Sequence, residues 1–148
     1  MPEAPDFESL RSVPLFSELS EDEVARVARL AFVKPYRQGA TLFLEGMPGE
    51  VLYVILKGSV DILKRQAGGE GKLASLGPGD FLGEMSLIDD ALRSASAKVA
   101  EDSELLVVTR KCFRDMLASD PRIASKLLMH FLKVMSGRLR QTDKRFER

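Results

Sequence analysis

Residues 31–109 form a series of short apolar runs that glycines interrupt at close intervals. The glycines stand at positions 39, 46, 49, 58, 77 and 79 and in the cluster 68–71. Short runs bounded by turn residues are typical of β-strands joined by tight turns. Many such strands in succession predict a small barrel or roll.

Seven runs within this segment fit β-strands. In the clearest case Val60 and Ile62 face one way and Asp61 the other, as a half-buried strand requires. The candidate strands are Phe32–Tyr36, Thr41–Leu44, Val51–Lys57, Ser59–Lys64, Lys72–Leu76, Ala95–Ala100 and Leu105–Thr109.

Helical signals flank the strand-rich segment on both sides. Ser20, followed by three acidic residues, fits an N-cap with an acidic first turn and predicts a helix that runs to about Leu30. A shorter helical piece is expected at Phe7–Ser12. After the strands we expect a helix at Lys111–Ala118, and Asp120–Pro121 then begins a long helix that runs to the end. The fold class is therefore α+β.

The last helix carries two rows of apolar residues. The row with the alternating four-and-three spacing of a coiled-coil seam comprises Leu128, Leu132, Met135, Leu139, Thr142 and Phe146. The row on a neighbouring face comprises Ile123, Leu127, Phe131 and Val134. One row can pack on the strands while the other meets a second copy, so we expect a parallel homodimer. The alternative is a single wide stripe that packs only on its own domain.

Length and composition fit one globular domain. The chain has 148 residues, of which 45% are hydrophobic and 30% charged, and its formal net charge is zero. The balanced charge argues against direct nucleic-acid binding. The longest apolar run, Val51–Leu56, is too short to span a bilayer. The N-terminus has no secretory signal and Cys112 is the single cysteine, so we expect a cytoplasmic protein.

The segment at residues 81–97 carries the residues with binding chemistry. Gly83 precedes a short apolar turn, where an anion can approach bare backbone N–H groups. Arg93 offers a planar fork that suits two phosphate oxygens, and Ser94 adds a hydroxyl beside it. Glu84 can accept a hydrogen bond from a ribose hydroxyl. These residues predict a site for a nucleotide phosphate and its sugar, and the alternative is a structural ion pair between Glu84 and Arg93.

The order Gly83–Glu84, an apolar turn, and then Arg93–Ser94–Ala95 resembles the phosphate-binding cassette of cyclic-nucleotide-binding domains. That family includes the bacterial catabolite activator protein and the regulatory subunits of cyclic-AMP-dependent kinase. The resemblance covers nearly the whole chain. It implies an antiparallel β-roll, also called a double-stranded β-helix or jelly roll, with N-terminal helices at 1–30, the roll at 31–109 and B and C helices at 111–148.

The resemblance also implies roles for individual residues. Glu84 would hold the ribose 2′-hydroxyl, and Arg93 would hold the cyclic phosphate with backbone amides near Gly83, Met85 and Ser94. Two apolar positions, Val60 and Leu73, would contact the base. On the long helix, Arg138 would lie near the ribose and Thr142 would touch adenine across the dimer.

The chain departs from the family pattern near the base. Ala74 stands where a serine is expected, and Asp143 replaces a second hydroxyl that would contact the base. A serine or threonine after the cassette arginine favours cGMP in some relatives, so Ser94 does not decide the base. We expect cAMP as the ligand, with cGMP possible and a cyclic dinucleotide also open.

Four functions compete at this point. The first is a sensor in which ligand binding is passed on through the C-terminal helix. The second is an enzyme on a similar roll, which the single histidine, His130, argues against, since metal or nucleophilic catalysis needs more partners. The third is the ligand-binding fragment of a transcription regulator without its helix-turn-helix, and the fourth is a dimerisation module with a non-functional pocket. We expect no catalysis and no bound metal.

Overall fold

Two long antiparallel strands organise the computed structural model, which describes residues 5–146 and side chains through residue 141. The helices are α1 (Phe7–Arg11), α2 (Glu21–Leu30), α3 (Arg110–Ser119) and α4 (Pro121–Phe146). The strands are β1 (Phe32–Tyr36), β2 (Thr41–Phe43), β3 (Val51–Gln66), β4 (Gly69–Leu76), β5 (Phe81–Leu82) and β6 (Ser96–Thr109). Single 3-10 turns lie at Pro14–Phe16 and Glu84–Leu87.

Strands β3 and β6 pair with each other along most of their length. Strand β6 also pairs with β1 and β2, and β3 also pairs with β4 and β5. All these pairings within the described residues are antiparallel. The predicted α+β class with an antiparallel sheet is therefore confirmed.

The long strands replace two pairs of shorter strands that the sequence predicts. Val51–Lys57 and Ser59–Lys64 belong to one strand, β3, because Gly58 bends it without ending it. Gly58 has φ of 95°, and its lack of a Cβ leaves room for Ser103 of β6. The register between the strands shifts at this point, as at a β-bulge.

Several other strand limits differ from the prediction. The runs predicted at Ala95–Ala100 and Leu105–Thr109 are joined in β6. Strand β4 begins at Gly69, three residues before the predicted Lys72, because the hairpin turn after β3 is tight. Strand β5 was not predicted, since two residues are too few to show an alternating pattern.

The paired centres of β3 and β6 are buried on both faces. Tyr53 and Ile55 pack inside the roll, whereas Leu52 and Val54 point to the other face and join a core shared with the helices. A strand covered on both sides needs apolar residues at every position. This explains the unbroken apolar run at Val51–Leu56.

The helices form a layer over the outer face of the sheet. Helix α2 begins with a capping box in which Ser20 Oγ accepts from Glu23 N–H at 3.2 Å, and Glu23 Oε1 accepts from Ser20 N–H at 2.9 Å. The predicted N-cap is therefore confirmed. Among the described residues, no helix is long and apolar enough to cross a bilayer.

The two rows on α4 have different surroundings. Ile123, Leu127 and Phe131 are buried in the core between the helices and the sheet. Leu132 and Leu139, from the coiled-coil row, are 62% and 63% exposed. Leu128, from the same row, packs against the core, so this row is covered in part by the chain itself.

Candidate ligand-binding site

A cavity of about 530 Å³ lies between the cassette, strand β4 and helix α4. Its wall includes eight of the ten residues proposed from the sequence, which are Leu73, Gly83, Glu84, Met85, Arg93, Ser94, Ala95 and Arg138. The residues on which the phosphate and sugar predictions depend are therefore brought to one place by the fold.

Arg93 is buried beneath the cavity, with only 8% of its surface exposed. Its Nη2 donates to the carbonyl of Val51 at 3.1 Å, and its Cζ lies 4.1 Å from the centroid of the Phe43 ring. Its Nε is buried and, within the described residues, has no hydrogen-bond partner. Burial lowers the pKa of Arg93, while the charges of Tyr53 and Glu84 act in the opposite direction.

A buried cation without a carboxylate partner is costly. In the described part of the chain, Arg93 forms no ion pair, and the predicted alternative of a Glu84–Arg93 bridge is not formed. Arginine remains charged at neutral pH even when burial disfavours the charge. The site therefore places a fixed positive charge on the wall of the cavity, where it can attract an anion.

Two glycines make room for this guanidinium. Gly83 adopts φ of 86°, in the left-handed region, and a Cβ there would lie 2.6 Å from both Arg93 Nη1 and the Val51 carbonyl. A Cβ at Gly49 would overlap the guanidinium itself. The sequence pattern identified Gly83 but marked Gly49 only as a turn residue, and it missed Phe43 and Val51. A pattern in sequence does not show that a distant loop packs against Arg93.

Glu84 is the first residue of the 3-10 turn and is 7% exposed. Its Oε1 lies 3.3 Å from Nη1 of Arg138, a residue that helix α4 brings over the cavity. The Glu84 carboxylate retains acceptor capacity besides this contact, because an ionised carboxylate offers about four lone-pair sites. It can therefore accept from hydroxyl groups of a sugar while Arg138 remains beside it.

The wall of the cavity that strands β3 and β4 provide is apolar. The residues that line it from β3 and β4 are Ile62, Leu73, Ala74 and Leu76. Leu73 is 54% exposed. Among the residues that line it, Ala74 has no side-chain group for a hydrogen bond where the family pattern expects a serine. A flat ring would be held here by van der Waals contact.

Among the predicted site residues whose side chains the structure describes, Val60 does not line this cavity. Val60 is fully buried in the cluster inside the roll, and Ile62, two positions later, lines the cavity instead. The side chain of Thr142 lies outside the described residues, as does that of Asp143. The predicted contact of Thr142 with the base stays a prediction.

Arg110 holds the cassette in place through hydrogen bonds. Its side chain is 12% exposed, and its Nε donates to the Ser86 carbonyl at 2.8 Å. Its Nη2 donates to the Asp89 carbonyl at 2.9 Å, and its Nη1 lies 2.7 Å from Asp90 Oδ1. Arg110 is also the first residue of α3. The sequence reasoning missed it, although an arginine at a strand-to-helix junction was visible.

The described residues were also compared with the requirements of a metal site. They contain no group of three or more histidine, cysteine and acidic side chains that could hold a metal ion. His130 does not line the cavity, and its ring packs edge-on against Phe81 with centroids 6.0 Å apart.

Comparison with known proteins identifies the family. The model of the cyclic nucleotide-binding domain matches residues 33–120. The cyclic AMP receptor protein of Thermus thermophilus is 36% identical over 135 residues, which cover 90% of this chain and 61% of that protein. The chain belongs to the cyclic nucleotide-binding domain family, so the predicted resemblance is confirmed.

Solved structures agree with this assignment. A cyclic nucleotide-binding domain from Methylobacillus flagellatus has a TM-score of 0.82 at 30% identity, covering 94% of this chain and 79% of that one. The N-terminal domain of a transcriptional regulator from Streptomyces coelicolor has a TM-score of 0.75 at 32% identity, covering 93% and 94%. The predicted β-roll is therefore confirmed. The chain spans 61% of the length of the Thermus thermophilus relative.

Proposed function

We propose that this chain binds a cyclic nucleotide, with cAMP as the first candidate, and passes ligand occupancy on through helix α4. The observation that carries the proposal is the buried guanidinium of Arg93, whose Nε has no partner among the described residues. A cyclic phosphate would supply both the missing charge and the missing acceptor. The relatives named for cyclic AMP support the choice of ligand.

Each polar group is assigned one part of the ligand. Arg93 holds the cyclic phosphate, assisted by backbone amides near Gly83, Met85 and Ser94, and Ala95 lies beside them on the cavity wall. Glu84 holds the 2′-hydroxyl of the ribose. The base lies against the apolar wall that includes Leu73.

Arg138 provides the link to helix α4. Its contact with Glu84 joins the sugar site to the helix across 3.3 Å. A ligand that binds Glu84 changes the energy of this contact, and therefore the balance between arrangements of α4. It shifts that balance only by the difference between its affinities for them.

Calorimetric titration of the purified protein with cAMP, cGMP and a cyclic dinucleotide tests the proposal. We expect cAMP to bind, and Arg93→Ala to lose a charge-assisted contact worth roughly 1.5–3 kcal/mol, which weakens binding by about ten- to a hundredfold. Unchanged affinity in Arg93→Ala would place the ligand elsewhere. If none of the three nucleotides binds, the chain is instead a dimerisation module with a non-functional pocket.

A second titration tests the sugar assignment. Wild-type protein is expected to bind 2′-deoxy-cAMP more weakly than cAMP, because the buried Glu84 carboxylate then loses a donor. Glu84→Gln should narrow the difference between the two ligands. If wild-type protein and Glu84→Gln show the same ratio of affinities for cAMP and 2′-deoxy-cAMP, Glu84 does not contact the 2′-hydroxyl.

We also propose a parallel homodimer through α4. The exposed Leu132 and Leu139 lie on the face that the core does not use, which is the support for this arrangement. The replacements Leu132→Asp and Leu139→Asp together should convert a dimer to a monomer in light scattering. A wild-type protein that is monomeric with and without cAMP would refute this part.

A competing assignment is the ligand-binding part of a transcription regulator. The matched Streptomyces coelicolor structure is the N-terminal domain of such a regulator, and this chain matches 61% of the Thermus thermophilus receptor. In either assignment the described residues provide binding rather than catalysis. A cytoplasmic setting suits both, since the lone thiol of Cys112 fits a reducing compartment.

A further inference from the structure

Lys64 of strand β3 contacts the cassette from outside the cavity. Its Nζ donates to the carbonyl of Ser94 at 3.0 Å, and Ser94 follows Arg93 directly. Ser94 and Ala95 line the cavity, whereas Lys64 is not part of its wall. We propose that Lys64 is a positioning residue that orients the peptide between Ser94 and Ala95 toward the ligand's phosphate. This inference rests on the proposed function.

The end of the sheet explains why a side chain is needed here. Strand β6 begins at Ser96, which pairs with Leu63 of β3, and this is the last pair between the two strands. Ser94 lies beyond that pair, so the pairing of the two strands provides no donor for the carbonyl of Ser94. Lys64, the next residue after Leu63, supplies one.

Because a peptide group is planar, a contact to its carbonyl also fixes the direction of its N–H. The carbonyl of Ser94 and the N–H of Ala95 belong to one planar trans peptide and point in opposite directions. With Lys64 donating to this carbonyl from outside the cavity, the Ala95 N–H would be directed to the side of the cavity. A rotated peptide would instead present a carbonyl oxygen to the anion, which would repel it.

The residues around this peptide are fixed independently of Lys64. Arg93 N–H donates to the Met47 carbonyl at 2.9 Å, and Gly46 N–H donates to the Arg93 carbonyl at 2.8 Å. On the other side, Ser96 Oγ accepts from Glu45 N–H at 2.8 Å. Replacement of Lys64 therefore releases one peptide rather than the whole segment, and the variant should fold.

The experiment compares Lys64→Met and Lys64→Arg with a matched control, Lys57→Met. Lys57 lies on the same strand, is 77% exposed and pairs with Glu104. The loss of one such hydrogen bond should weaken cAMP binding by about three- to tenfold in Lys64→Met. Lys64→Arg should retain most of the affinity, Lys57→Met should bind as wild type does, and melting temperatures should agree within about 2 °C.

Two further measurements distinguish an effect of Lys64 on the orientation of the peptide from direct attraction between its charge and the phosphate. At about 1 M salt, where charges are screened within roughly 3 Å, an oriented peptide should preserve the difference between Lys64→Met and wild type. The amide proton of Ala95 should move on addition of cAMP in wild-type protein, and it should move less in Lys64→Met.

Several results would overturn the inference while leaving the proposed function intact. These are wild-type affinity in Lys64→Met, loss of the difference at high salt, an equal loss in Lys57→Met, or an unchanged Ala95 shift. Each of these requires a wild-type protein that binds cAMP. If the wild type binds no cyclic nucleotide, the proposed function itself fails, and the inference fails with it.

Discussion

Because Gly49 has no Cβ, the guanidinium of Arg93 fits directly against it, although the two residues are far apart in the sequence. The loop before β3 therefore determines where the positive charge of the cassette is held. The Val51 carbonyl, two residues after Gly49, accepts from the same guanidinium at 3.1 Å. Loop and cassette together form the phosphate end of the proposed site.

Gly49→Ala should weaken cyclic-nucleotide binding by about tenfold or more, which corresponds to roughly 1.4 kcal/mol. The new Cβ would push aside the flexible end of Arg93, so the fold should persist while the guanidinium moves. Calorimetry with cAMP measures the effect, and circular dichroism checks the fold. Gly68→Ala is the control, since nothing lies within 4 Å of a Cβ there. Equal affinities in the two variants would contradict the prediction.

Arg110→Ala should destabilise the protein and loosen the cassette. Removal of its largely buried side chain leaves the carbonyls of Ser86 and Asp89 without their donor, at a cost of roughly 1–3 kcal/mol. The melting temperature should fall by several degrees, and cAMP should bind more weakly because the 3-10 turn is no longer held. Thermal unfolding with and without cAMP measures both.

Arg26→Ala is the matched control for this variant. Arg26 is 54% exposed and pairs with Asp120 at 2.7 Å, and exposed pairs of this kind contribute about 1 kcal/mol or less. A larger loss of stability in Arg26→Ala than in Arg110→Ala would mean that the contacts of Arg110 are not important to the fold.

Local sequence signals were sufficient for the helices and for most of the strands. The capping box at Ser20 and the apolar row at Ile123, Leu127 and Phe131 act within one helix, and such signals can be found without knowledge of the fold. The junction at Gly58 was harder, because glycine marks both a turn and a bulge. Only the pairing of β3 with β6 decides between them.

The candidate site was predictable only in part, for a similar reason. Gly83, Glu84 and Arg93 lie within eleven positions of the sequence and match a family pattern. Phe43 and Gly49 act on Arg93 from a different loop, through packing that no short motif records. Val60, a position carried over from the family pattern, lies buried inside the roll and is not among the residues that line the cavity. Its contact with the base stays a prediction.

The thiol of Cys112 should react slowly in the folded protein. Burial raises the pKa of this thiol to about 11, and its Sγ–H donates to the Leu30 carbonyl at 3.2 Å. The reactive thiolate is therefore scarce at neutral pH. Labelling with iodoacetamide at pH 7.5 should be slow in buffer and rapid in concentrated urea. Rapid labelling of the native protein would show that the α3 helix opens readily.

Acidification below pH 6.5 should weaken the fold through His130. Burial lowers the pKa of His130 below its ordinary value near 6.5, and Lys133 lowers it further, while Glu18 acts in the opposite direction. Lys126, one helical turn earlier, lines the same surface recess as these three residues. In this pH range the unfolded chain binds more protons than the folded one, so the free energy of unfolding falls as the pH falls.

Urea unfolding at pH 7.5 and pH 5.5 tests this linkage in wild-type protein and His130→Phe. The phenylalanine keeps a ring against Phe81 but does not titrate, so its stability should fall less between the two pH values. Glu23 does not interfere, because its hydrogen bond with Lys126 lowers the pKa of the Glu23 carboxyl, which already lies near 4.5 in the free residue. Parallel losses in the two proteins would show that His130 is equally accessible to protons in the folded and unfolded chains.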